Sequence, residues 1–192
     1  MTSSFILTPS QIGRLLDQQS ISTVHPWNTN DEATIDSFLK NICAEINQIT
    51  GTDSKIEWNH YGSGYSSFVD AWFYRPINEF SVPIDGFNGE SYLGLVVLLC
   101  RLSPHFVLME GGKTWHSKGG SSYLPSYGDV DLFASSAVSG LASEIQPVLE
   151  QYGLQRLSSR DLGTLLAPDV QVPTIMTDPP FRTFDAMFYW ED

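Results

Sequence analysis

Apolar side chains recur at three- and four-residue steps through Ile35, Phe38, Leu39, Ile42, Ile46 and Ile49. That spacing lays one stripe along a helix and predicts its burial against a core. Asn30 or Asp31 caps its start, Asp31, Glu32 and Asp36 sit near the positive end of its dipole, and Gly51 supplies the stop. A shorter helix is predicted after Thr8, where Pro9 takes the first helical position, Gln11 completes a capping box, and Ile12, Leu15 and Leu16 face inward. A third helix is expected over 135–152, with Val138, Leu141, Ile145, Val148 and Leu149 on its apolar face. Ser159 caps a short one to Leu166.

Elsewhere the period shortens to two. Segments 55–61 and 66–75 read as strands flanking Gly62-Ser63-Gly64 as a hairpin turn. In the second of these, Phe68, Asp70, Trp72 and Tyr74 share one side, and Ser67, Val69, Ala71 and Phe73 the other. A second hairpin, 91–102 with 105–110, turns at Ser103-Pro104; its unbroken Leu95–Leu99 run predicts a central strand covered on both faces. A final strand is expected over 183–190. Residues 77–90 and 111–128 read as loops, and long loops in small domains are often functional. The order of elements is not the alternation of a doubly wound sheet. It predicts an α+β fold, a mainly antiparallel or mixed five-stranded sheet with helices packed on it, as a single domain over 1–192.

Charge changes the picture more than size does. The chain has 192 residues, 22 acidic against 10 basic, for a net charge of −12. Such a surface repels nucleic acid and anionic membrane, and it steers a basic partner inward. A hydrophobic content of 42% is enough to bury a core, but the longest apolar run, 93–100, is far short of a membrane span of about twenty residues. The N-terminal stretch Met1 to Pro9 lacks the basic and apolar regions of a secretory signal, and Cys43 and Cys100 read as small core hydrophobes. Together these predict a cytoplasmic protein.

No catalytic motif is complete. Gly112-Lys113-Thr114 ends like a phosphate-binding loop, but Val107 stands where the first glycine belongs and no helix pattern follows. Gly120-Ser121 followed by Asp129-Val130-Asp131 resembles the nucleotidyltransferase pattern. There, Gly-Ser contacts the triphosphate and two strand aspartates share divalent metal. The tyrosines at 123 and 127 depart from that family, and no third acid is assignable. His25, His60, His105 and His116 show no ligand spacing, so no metal site and no cofactor is expected.

What remains is a set of acids interleaved with aromatics, the residue types that carry binding hot spots. The expected binding surface comprises Asp70, Trp72 and Tyr74 of the second strand, with Glu110, Trp115, His116, Tyr123, Asp129 and Asp131 on and around the long loop. The stretches 56–58, 70–74 and 184–192 have the same acid-and-aromatic cast, and the whole chain resembles the immunity proteins that accompany bacterial polymorphic toxins and secreted effectors. That resemblance implies a non-catalytic protein that neutralises a cognate basic toxin by occluding its active site. A divergent nucleotidyltransferase and an acidic adaptor or structural protein are the alternatives.

Overall fold

A computed structural model describes residues 5–192; residues 1–4 of the N-terminal reading above lie outside it. Helix α1 (Pro9–Leu16) starts at the expected capping box, with Thr8 Oγ1 accepting from the Gln11 N–H and Gln11 Oε1 from the Thr8 N–H. Helix α2 (Glu32–Ile46) is capped by Asp31 and buries Ile35, Leu39, Ile42 and Ile46. It ends earlier than the apolar stripe, in turns that lead to Gly51 at φ +73°.

Strands β1 (Asp53–Glu57), β2 (Tyr65–Ser66), β3 (Phe68–Tyr74), β4 (Glu90–Cys100), β5 (His105–His116) and β6 (Gly119–Ser122) follow, then helix α3 (Ser136–Gln151), strand β7 (Gln155–Arg156), helices α4 (Ser159–Leu162) and α5 (Thr183–Met187), and strand β8 (Trp190–Glu191). The main sheet runs β1-β3-β4-β5-β6, antiparallel throughout, with β7 added parallel to the start of β5. The fold is α+β, as the order of elements implied. β4 is central, and its residues from Gly94 to Cys100 are all buried. Cys43 and Cys100 are buried free thiols. Among the described residues, no helix is long and apolar enough to cross a membrane.

Three expectations change. The segment 111–128 is not an open loop: β5 runs on to His116 and folds back through β6, so its first two thirds are a hairpin. Glycine and serine hid that strand from the alternation pattern, and the ladder to β4 residues Glu90–Gly94 is what holds it. The link between β1 and β3 is no tight hairpin, because it makes a helical turn at His60–Gly62 and adds β2, which pairs with β8. The expected final strand is mostly helix, since Phe184, Met187 and Phe188 lie at helical rather than alternating spacing.

The two faces of the sheet differ. Register puts Phe73, Leu95 and Glu110 on one face, against which α3 packs; the Ser135 N–H at the start of α3 donates to Glu110 Oε2 at 2.8 Å. Register puts Asp70, Trp72, Val96, Met109, Gly111, Lys113 and Trp115 on the other. The second face is roofed at one end by the C-terminal segment, where Phe188 meets Phe68 at 6.2 Å. Its other end carries the candidate site.

Candidate binding surface

At that end the alternation of β3, β4 and β5 stacks four aromatic rings. Trp72 and Tyr74 lie 4.5 Å apart, Tyr74 and Tyr92 5.1 Å, and Tyr92 and Trp115 5.6 Å. Trp72 is fully buried and donates its indole N–H to the Gly111 carbonyl at 2.8 Å. A Cβ on Gly94 would come within 2.5 Å of the Trp72 ring, so only glycine lets the ring lie flat on β4. Tyr92 and Trp115 are half-buried and close the stack at the surface.

Carboxylates border the stack. The Tyr74 hydroxyl donates to Asp53 Oδ2 at 3.3 Å, and Glu90 stands opposite Trp115 in the ladder. Burial, joined by the charges of Asp53 and Glu90, pushes the Tyr74 phenol up to about 12. The outer face of Trp115 already holds a cation: Lys55 Nζ sits 4.1 Å from the ring centroid. Glu79 and Asp85, in the loop before β4, are exposed.

Beside the stack lies a buried acid. Asp70 is 3% exposed. Its carboxylate accepts the Tyr61 hydroxyl at 2.7 Å and the Tyr123 hydroxyl at 2.5 Å. Desolvation raises its pKa, against the pull of both phenols and of Lys113. Lys113 donates to Ser122 Oγ at 2.7 Å and sits 4.6 Å over the Tyr123 ring; burial lowers its pKa. Tyr123 in turn lies against Gly111, where a Cβ would come within 2.4 Å of its ring. The network therefore pins the start of the segment after β6 onto the sheet.

The expected surface residues divide accordingly. Trp115 and Tyr123 lie on this face toward its open end, while the exposed His116, next along β5, turns to the opposite face and meets Phe87. Asp70, Trp72 and Tyr74 belong to the same face but are buried in β3, so they underlie that surface rather than form it. Glu110 is on the opposite face, half-buried at the start of α3. Asp131 is half-buried at φ +65°, its two oxygens accepting from Arg156 Nη2 at 2.7 Å and from the Ser159 N–H at 2.6 Å. Asp129 is exposed in a helical turn, Tyr127–Asp129, and accepts from Ser126 Oγ. The acidic rim expected from Asp70, Glu110, Asp129 and Asp131 thus does not assemble, because all four acids accept internal hydrogen bonds and only Asp129 among them is exposed. The rim around Trp115 comes instead from Asp53 and Glu90, with the aromatic Tyr92. Alternation across β1 and β4 is the signal that marks them, and it needs the register to be read.

The nucleotidyltransferase geometry is also not formed. Asp129 and Asp131 do not share a strand, and Asp131 is committed to Arg156 and Ser159. Among the described residues, no three His, Cys, Asp or Glu side chains gather as a metal site.

A second polar centre is sealed. Arg101, 1% exposed, places Nε and Nη2 on the two oxygens of Asp36 at 2.9 and 3.1 Å, Nη1 on the carbonyls of Ser66 and Phe68, and Nη2 on that of Trp58. All five guanidinium donors are thereby used. The Ser66 N–H donates to His60 Nδ1 at 2.8 Å, so the ring proton is on Nε2, facing Glu32 Oε1 at 3.0 Å. This cluster ties α2, the β1–β3 link and the end of β4 together, and its chemistry is fully occupied.

Compared with protein-family models, curated proteins and solved structures, the chain matches none of them.

Proposed function

We propose that this protein is a non-catalytic binding protein that captures a basic protein partner on the Trp115 surface, in the manner of an immunity protein that occludes its toxin. The observation that carries the reading is the balance of exposed charge. Fourteen acidic side chains are exposed against five basic ones, and the half-buried end of the aromatic stack, Tyr92 and Trp115, lies by two of those acids, Asp53 and Glu90. Long-range attraction would speed encounter, and Trp115 with Tyr92 would supply the desolvated anchor that slows release. Lys55 on the Trp115 ring marks the face as one that accepts a cation. The neutralised target would be an enzyme whose catalytic or substrate-binding groups are Lys or Arg, because these are what a carboxylate-rimmed aromatic patch pairs with.

The test is capture of a partner from the native organism, followed by kinetics with variants. The partner should be basic. The double variant Asp53→Lys/Glu90→Lys should slow association and flatten its dependence on salt, while Trp115→Ala should mainly speed dissociation, by roughly tenfold or more. An acidic partner, or binding indifferent to all three changes, would sink the reading.

A further inference from the structure

The segment that leaves the Trp115 surface ends beside a cleft of about 280 Å³, formed where residues 125–128 face the C-terminal segment. Its walls include Tyr127, Met176, Arg182, Phe184, Asp185 and Phe188. The walls continue the aromatic face of the sheet: Tyr127 meets Phe184 at 6.2 Å, Phe184 meets Phe188 at 5.4 Å, and Phe188 meets Phe68. The volume falls just below that of pockets for whole small molecules, about 300–1,000 Å³, and suits one long side chain.

Asp185 gives the cleft its chemistry. It is 8% exposed, and its Oδ2 accepts from the Arg182 N–H at 2.6 Å. Among the described residues no donor reaches Oδ1. The nearest guanidinium of the chain does not pair with it, because Arg182 Nη1 is held on the Gly163 carbonyl at 2.9 Å and the group stacks 4.8 Å over Tyr127. Burial accordingly pushes the Asp185 carboxyl above the ordinary range, with Arg182 opposing. A buried carboxylate without a counter-ion is costly, and a guest cation with hydrogen-bond donors would relieve it. Aromatic and thioether walls favour a guanidinium, which is planar, weakly hydrated and carried on an apolar stem, over an ammonium.

We infer that this cleft is a pocket for a single arginine side chain of the basic partner, ending on Asp185. The inference rests on the binding reading above and adds to it a second anchor, which the chain's own cation at Trp115 does not fill.

The pocket is tested without the partner. N-acetyl-arginine methylamide, titrated into the ¹⁵N-labelled protein, should shift the amides of Tyr127, Arg182 and Asp185 saturably, with Kd on the order of millimolar. The neutral isostere N-acetyl-citrulline methylamide should shift them little. Asp185→Asn keeps an acceptor for the Arg182 N–H, so the helix start is retained, and should weaken the arginine probe about tenfold or more. Met176→Trp, which fills the cleft from another wall, should do the same. Equal shifts from citrulline, shifts confined to other regions, or a response unchanged in both variants would overturn the pocket. If Asp185→Asn leaves partner capture intact while Trp115→Ala abolishes it, the pocket fails and the binding reading stands. If Asp185→Asn weakens capture while the Trp115 and rim variants do not, the binding surface is misplaced and the pocket stands.

Discussion

Asp36 and Asp70 are both buried acids, and the molecule treats them in opposite ways. Asp36 meets a guanidinium bidentately, and that guanidinium is itself saturated by backbone carbonyls. Asp70 meets two neutral phenols, with its nearest cation, Lys113, bonded elsewhere. The first arrangement is closed: every donor is used and nothing at the surface depends on it directly. The second is open-ended, because one of its phenols belongs to Tyr123, the residue that begins the surface segment leading from the Trp115 patch to the Asp185 cleft. The ion pair fastens the scaffold, and the phenol-held carboxylate positions the proposed binding surface. The lesson is that burial of a charge does not by itself mark function; what matters is whether its partners are internal or lie at the surface.

The largest expected effect breaks the closed centre. Arg101→Met leaves Asp36 and three carbonyls without their donor, and removing one partner of a buried pair costs about 3–5 kcal/mol. Denaturant unfolding should show that loss. A change below about 1 kcal/mol would mean the pair is far better hydrated than its burial implies. Next comes Tyr123→Phe, which removes one of the two donors on Asp70. The cost should be about 1–3 kcal/mol, with the segment after β6 loosened. Amide exchange should be faster at residues 123–129 and unchanged in α2; uniform acceleration across the chain would deny the local role.

The finest effect is a gradient with pH. Because burial raises the Asp70 pKa in the folded state, the folded protein holds that proton more tightly than the unfolded chain does. The resulting stability is present at low pH and is lost as pH rises from the ordinary carboxylate value, 3.8, through the folded one. Wild type should therefore lose stability relative to Asp70→Asn as pH rises across that window, at no more than about 1.4 kcal/mol per pH unit. Taking the difference between the two proteins cancels the other titrating groups. An opposite slope would mean that Tyr61, Tyr123 and Lys113 together outweigh desolvation.

Much of the architecture was written in local pattern. The stripe from Ile35 to Ile46 and the uninterrupted run on β4 each state their own burial, and the capping box at Thr8 its own helix start, because helix and strand periods are set by neighbouring residues and a single face is enough to define them. The same holds for the surplus of acid, which composition alone dictates. The acid-and-aromatic character of β3 was legible too, since alternation puts Asp70, Trp72 and Tyr74 on one side whatever their environment. Which side met solvent was not, because that depends on residues 120 positions away, in the C-terminal segment that roofs Phe68. Likewise, nothing local tells Asp131 that Arg156 will claim it, or Glu110 that α3 will begin above it. An acid's availability is decided by whichever donors the tertiary structure brings within about 3 Å, and those donors come from distant elements. Sequence thus determined the elements, the core stripes and the sign of the surface. The tertiary structure decided which carboxylates remain free, which aromatics reach the surface, and that Asp185, one acid among 22, is buried in a cleft where no cation of the described residues pairs with it.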